Sequence, residues 1–89
     1  MKKKTATKIL KKSRHRNIVE ISMDPGVFVD LHVHEWDVDL IILKGSLQVN
    51  VDFNTKVLTP GDRYKLKKNI QHSEYSGVDG VTFLTARPI

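Results

Sequence analysis

GVFVDLHVHEWDVDLIILKG, residues 26–45, is the stretch whose reading decides the fold. It opens with Val27–His34, in which Val27, Val29, Leu31 and Val33 alternate with Phe28, Asp30, His32 and His34. A β-strand turns successive side chains to opposite faces, so His32 and His34, two apart, are predicted to leave one face together. Val38–Leu43 follows and is apolar apart from Asp39, the pattern of a buried strand. Lys44-Gly45 then turns the chain.

Outward from this stretch the chain reads as short strands between turns, with no helical periodicity after Asn17. Before it lie a strand over Asn17–Ser22 and the turn Asp24-Pro25-Gly26. After it come Ser46–Val51 (Leu47, Val49 and Val51 on one face), a hairpin turn at Asp52–Asn54, a short strand Lys56–Leu58 and the turn Pro60-Gly61-Asp62. Arg63–Leu66, Gln71–Tyr75 and Val81–Ala86 complete the set. Strands of this length at this spacing predict an all-β sandwich or barrel in one domain. His72 lies in the Gln71–Tyr75 strand. Three neutral imidazoles from His32, His34 and His72 converging in a small β-fold make a site for a divalent metal.

The 89 residues bound the core to a modest size, which dimerisation would enlarge while covering open sheet edges. The absence of cysteine excludes disulfides, thiolate metal sites and a Cys nucleophile. No apolar run approaches a membrane span or signal-peptide core, so a cytoplasmic protein with no membrane partner is expected. The net charge of +5 is unevenly spread. Residues 1–16 hold eight Lys/Arg and no acid, whereas residues 17–89 hold seven against ten Asp/Glu. The chain therefore divides into a basic N-terminal arm, 1–16, and a mildly acidic body, 17–89. The arm has no aromatic interleaving and only Ile9 and Leu10 as an apolar stripe for a short helix around Thr7–Lys12. It is expected to be mobile or loosely docked and dispensable for the site, with a nucleic-acid-associated dimer working through it as a third and weaker function reading. His15 within it is read as a surface residue.

The residues of the opening stretch resemble the first motif of the cupin family: Gly, five residues, His-x-His, three or four residues, Glu, six residues, Gly. Here it stands as Gly26-VFVDL-His32-Val-His34-EWD-Val38-DLIILK-Gly45. The second motif resembles Gly61-DRYKL-Lys67-Lys-Asn69-IQ-His72-SEY-Ser76, and the likeness spans residues 17–89. It implies a single-domain cupin-type antiparallel β-barrel, the double-stranded β-helix or jelly roll, of the kind found in small bacterial cupins. Val38 stands where the family has its metal-binding Glu, and a valine cannot ligate. Asp37, near a strand start, is the first candidate replacement, completing a metal set with His32, His34 and His72; Glu74, two residues from His72, is the second, and both are candidate proton-transfer groups. Lys67, Asn69 and Ser76 replace the second motif's Pro, Gly and Asn; Asn69 fits a left-handed turn.

Iron, manganese, zinc or nickel suits such a donor set, and affinity order alone does not choose among them. Trp36 and Tyr75 are expected to rim the mouth, and Asp30 to support a ligating imidazole. Two function classes stand open. One is a metal-dependent oxygenase- or isomerase-like enzyme acting on a small polar molecule. The other is a non-catalytic small-ligand binding or sensing module with a degenerate site. A homodimer is expected in either case.

Overall fold

Two long strands carry the fold in the computed structural model, which describes residues 1–88. In chain order the elements are α1 (Lys3–Lys12), β1 (Asn17–Met23), β2 (Phe28–His32), β3 (Val38–Val51), β4 (Asn54–Leu58), β5 (Arg63–Leu66) and β6 (His72–Arg87). The first half of β3 pairs with β5 and the second half with β4, while β6 pairs with β2 early and β1 late. β3 and β6 run antiparallel to each other along their length. Two antiparallel layers therefore share one central strand pair: β5-β3-β6-β1 and β4-β3-β6-β2. This is the double-stranded β-helix expected from the sequence, but the hydrogen-bonded sheet does not close into a barrel.

The shared pair bends where the register shifts, between Ile42 and Lys44 and between Gly45 and Leu47. The predicted turn at Lys44-Gly45 is thus a bend inside one continuous strand, and Gln71–Tyr75 and Val81–Ala86 are likewise two halves of β6. Both bends use a left-handed residue without a Cβ: Gly45 has φ +72 and Gly80 φ +74. Asn69 has φ +63, in the left-handed turn read from the sequence.

Between the layers lies a core of Leu40, Ile42, Leu47, Val49, Leu58, Val81 and Phe83. The opposite face of the β5-β3-β6-β1 layer is apolar too, and α1 covers it. Ala6 and Leu10, one turn apart, pack on Ile41, Leu43 and Leu84. The arm is therefore not loosely docked: Ala6 and Leu10 are fully buried. A narrow stripe suffices because the sheet surface beneath it is apolar. Leu10→Ala is expected to destabilise the protein by about 3 kcal/mol through lost burial and a residual cavity. Chemical denaturation checks this, and a loss below about 0.5 kcal/mol would show that the helix is a passive cover.

The segment between α1 and β1 is pinned through Asp39, which faces away from the inner core and is 5% exposed. Arg63 grips it with two bonds, Nε to Oδ1 at 2.9 Å and Nη2 to Oδ2 at 2.7 Å. His15 Nε2 donates to Oδ2 at 2.8 Å, and Arg63 Nη2 also donates to Ser13 Oγ at 2.7 Å. His15 is therefore a half-buried structural partner and not a free surface residue. Burial pushes the Asp39 carboxyl up, but the bonds from Arg63 and His15 outweigh it and hold it below its ordinary value. A depressed carboxylate stabilises the fold above its unfolded value, near about 4, and that contribution is lost as pH falls through the lower folded value. Stability should thus drop on acidification below about pH 4, and Asp39→Asn should flatten this part of the pH–stability curve.

Candidate metal centre

β2 and β6 bring two of the imidazoles face to face, because His32 is the direct partner of His72 across the antiparallel pair. Their ring centroids lie 4.2 Å apart, and those of His34 lie 5.0 Å from His32 and 5.2 Å from His72. One ligand atom from each of the three lies within 4.8 Å of the others. His34 follows the end of β2 and is positioned by its own carbonyl, which accepts the Asn69 N–H at 2.8 Å.

Simple alternation does not run through β2. Val29 pairs with Glu74 and His32 with His72, so Asp30 and Leu31 stand opposite the single residue Ser73. This bulge puts Val29 and His32, three apart, on one pocket wall and turns Leu31 and Val33 outward, 59% and 52% exposed. The expectation that Val27, Val29, Leu31 and Val33 share one face is corrected accordingly.

Backbone carbonyls fix two of the rings. His32 Nδ1–H donates to the Asp30 carbonyl at 2.7 Å and His72 Nδ1–H to the Ile70 carbonyl at 2.9 Å. A carbonyl can only accept, so in each neutral ring Nε2 carries the lone pair. Both Nε2 atoms face Glu74 Oε1, at 3.8 Å from His32 and 3.5 Å from His72. These distances are too long for hydrogen bonds. They are close to the ~3.4 Å between two donors that share a tetrahedral metal at about 2.1 Å. Lone pairs and a carboxylate converging in this way form a donor set that could hold a divalent cation. His34 sits below its ordinary value of 6.5, chiefly through burial and then through the nearby His32, His72 and Arg87, which keeps it neutral.

The other sequence candidates fall as follows. Asp37 does not join the imidazoles: its Oδ1 accepts the Lys68 N–H at 2.9 Å, and it lines a separate cleft with His15 and Asp39. Val38, at the family's Glu position, packs on the inner core and lines the pocket wall. The Asp30 side chain accepts from the Leu31 N–H, so Asp30 supports His32 through its carbonyl and not its carboxylate. Trp36 does rim the pocket, 4.7 Å from the His34 ring. Tyr75 instead lies on the outer face against Phe28 at 6.2 Å. Ser76, replacing the family's Asn, is fully buried and ties two turns, donating to the Asp24 carbonyl and accepting from the Val27 N–H.

The pocket holds about 290 Å³, and its walls away from the histidines are mostly apolar. Arg87 was not foreseen as a site residue, yet it lines the mouth with its Cζ 5.2 Å from the Trp36 ring centre. The signal was present in β6, where Val81, Phe83, Thr85 and Arg87 alternate inward.

No family model and no curated protein matches the chain. Solved structures do. A cupin-2 domain protein from Shewanella frigidimarina superposes with TM-score 0.71 at 18% identity, over 81% of this chain and 69% of that one. An RmlC-like cupin from the same organism gives 0.69 at 29% identity, over 81% and 65%. The polyketide cyclase RemF from Streptomyces resistomycificus gives 0.68 at 22% identity, over 76% of this chain but half of its own length. The chain thus spans between 50% and 69% of the length of these three structures. Among the described residues no helix is long and apolar enough to cross a membrane. On its two shared-strand layers and these superpositions, the chain has the fold of the cupin superfamily.

Proposed function

We propose that this protein binds a divalent metal through His32, His34 and His72, with Glu74 as the fourth donor in place of the family's missing Glu. The observation that carries the reading is the pair of Nε2 lone pairs, fixed by backbone carbonyls, that face the Glu74 carboxylate at 3.5 and 3.8 Å. A metal so held supplies Lewis-acid or redox chemistry to a small molecule in the adjoining pocket. Glu74 is also the acidic side chain that lines this pocket among the described residues, so it is the group placed to hold or move a proton there. That one structural relative is a cyclase supports an enzyme over a passive module, without fixing the reaction. The metal is iron, manganese, zinc or nickel, and the compartment is the cytoplasm. The exposed Phe28, Tyr75 and Val57 support a homodimer.

Glu74→Gln keeps the shape but removes the charge, and it should lower metal affinity by about 10- to 100-fold. Asp37→Asn should leave affinity unchanged. Metal titration of untagged protein with elemental analysis checks both. The reverse ranking would move the fourth donor to Asp37. A protein that retains small ligands while binding no metal would be the sensing module instead.

A further inference from the structure

Arg87 stands partly buried at the end of a pocket-lining row of β6. It closes the inward-facing row Val81, Phe83, Thr85, Arg87 of β6, whose other members are buried. Its guanidinium lies over Trp36, whose ring in turn packs on His34. Stacking of this kind orients the planar fork while leaving its N–H groups free to donate. No acidic side chain among the described residues pairs with it; the ion pairs there are made by Lys3, His15, His32, Arg63 and His72. The contrast with Arg63, held by two bonds to Asp39, is direct. Glu74, the acid in the pocket, faces the histidines and is not in ion-pair contact with Arg87.

Between Arg87 at the mouth and the histidines below, the walls are mostly apolar, Ile21, Val29, Leu40 and Phe83 among them, with the polar Thr85 beside Arg87. The volume of about 290 Å³ accommodates on the order of ten water-sized groups, given roughly 30 Å³ for each water in the liquid. A pocket with one cationic fork at its rim and mostly apolar walls selects a short anionic molecule with an apolar body. We propose that Arg87 anchors the carboxylate of such a ligand, a small aliphatic organic acid whose chain lies along these walls. The inference rests on the reading of this pocket as the ligand site, but not on metal occupancy.

Trp36 is the single tryptophan of the chain, so its fluorescence reports on this mouth alone. Hexanoate and hexanamide share a shape and differ in charge. Each is titrated into wild-type, Arg87→Gln and Arg87→Lys protein, both metal-loaded and stripped with chelator, and thermal melts confirm folding. The wild type should bind hexanoate at least tenfold more tightly than hexanamide in both forms. Arg87→Gln should abolish that preference with metal content unchanged, and Arg87→Lys should keep part of it. Equal binding of the two probes by the wild type, including none, would overturn the proposal. So would a preference that survives in Arg87→Gln or vanishes with the metal, because the metal would then hold the carboxylate. An Arg87-dependent preference in protein that binds no metal would sustain this inference and end the metal reading.

Discussion

Gly45→Ala is expected to cost at least about 3 kcal/mol and to abolish the folded site with it. A Cβ on Gly45 would stand 2.0 Å from the Gly80 carbonyl oxygen and 2.8 Å from its carbon, contacts that require backbone to move. The backbone has nowhere to go. β3 and β6 are paired on both sides of the bend, and a Cβ on Gly80 would itself lie 2.6 Å from the Met23 carbonyl. Left-handed φ adds about 1–2 kcal/mol for a residue with a side chain. For a domain of this size that is a large share of the total stability. Gly61→Ala is the control. Its φ is +92, but nothing lies within 4 Å of the added Cβ, so only the conformational part should be lost. Equal midpoints for the two variants in urea would show that the close approach of β3 to β6 is not limiting.

Gly45 also shows what the sequence makes legible. Its spacing from the histidines carried the resemblance and the fold, because a jelly roll needs a residue without a Cβ where its long strands bend together. The convergence of His32, His34 and His72 was legible for a similar reason: strand parity and motif spacing are local properties. The bulge at Asp30–Leu31 was not, since an extra residue in one strand is visible only against its partner in β6. The docking of the arm is not legible in its own narrow stripe, because the surface that receives it belongs to other strands. Val38–Leu43 is apolar on both faces, so a second layer had to cover Ile41 and Leu43, and residues 3–12 were the segment left to do so. Asp39 and His15, separated by 24 positions, meet only through that docking. Asp37 is set apart from the imidazoles by loop geometry that strand parity does not reveal: its carboxylate accepts the Lys68 N–H.

His72→Ala is expected to reduce metal affinity by at least about 100-fold, more than the loss of a supporting group would. His72 is 2% exposed and is the partner of His32, so its removal leaves His34 and His32 without the third nitrogen and opens a buried gap beside Glu74. A metal held at 100 times its dissociation constant stabilises the folded state by about 2.7 kcal/mol, so saturating metal should raise the wild-type melting temperature and leave that of His72→Ala unmoved. The pH dependence has a definite sign. Ligation needs neutral imidazoles, and His34 is lowered from 6.5 in the folded protein, first by burial and then by His32, His72 and Arg87. The unfolded chain therefore takes up a proton near 6.5 while the folded chain resists it, and stability falls as pH drops from 6.5 towards the lower folded value. Metal should be released in the same acidic direction, and the wild-type and His72→Ala melting curves should converge there. A wild type that gains no thermal stability from any of the four metals at neutral pH, with no bound ion by elemental analysis, would end the metal reading and leave the pocket as a site for ligand alone.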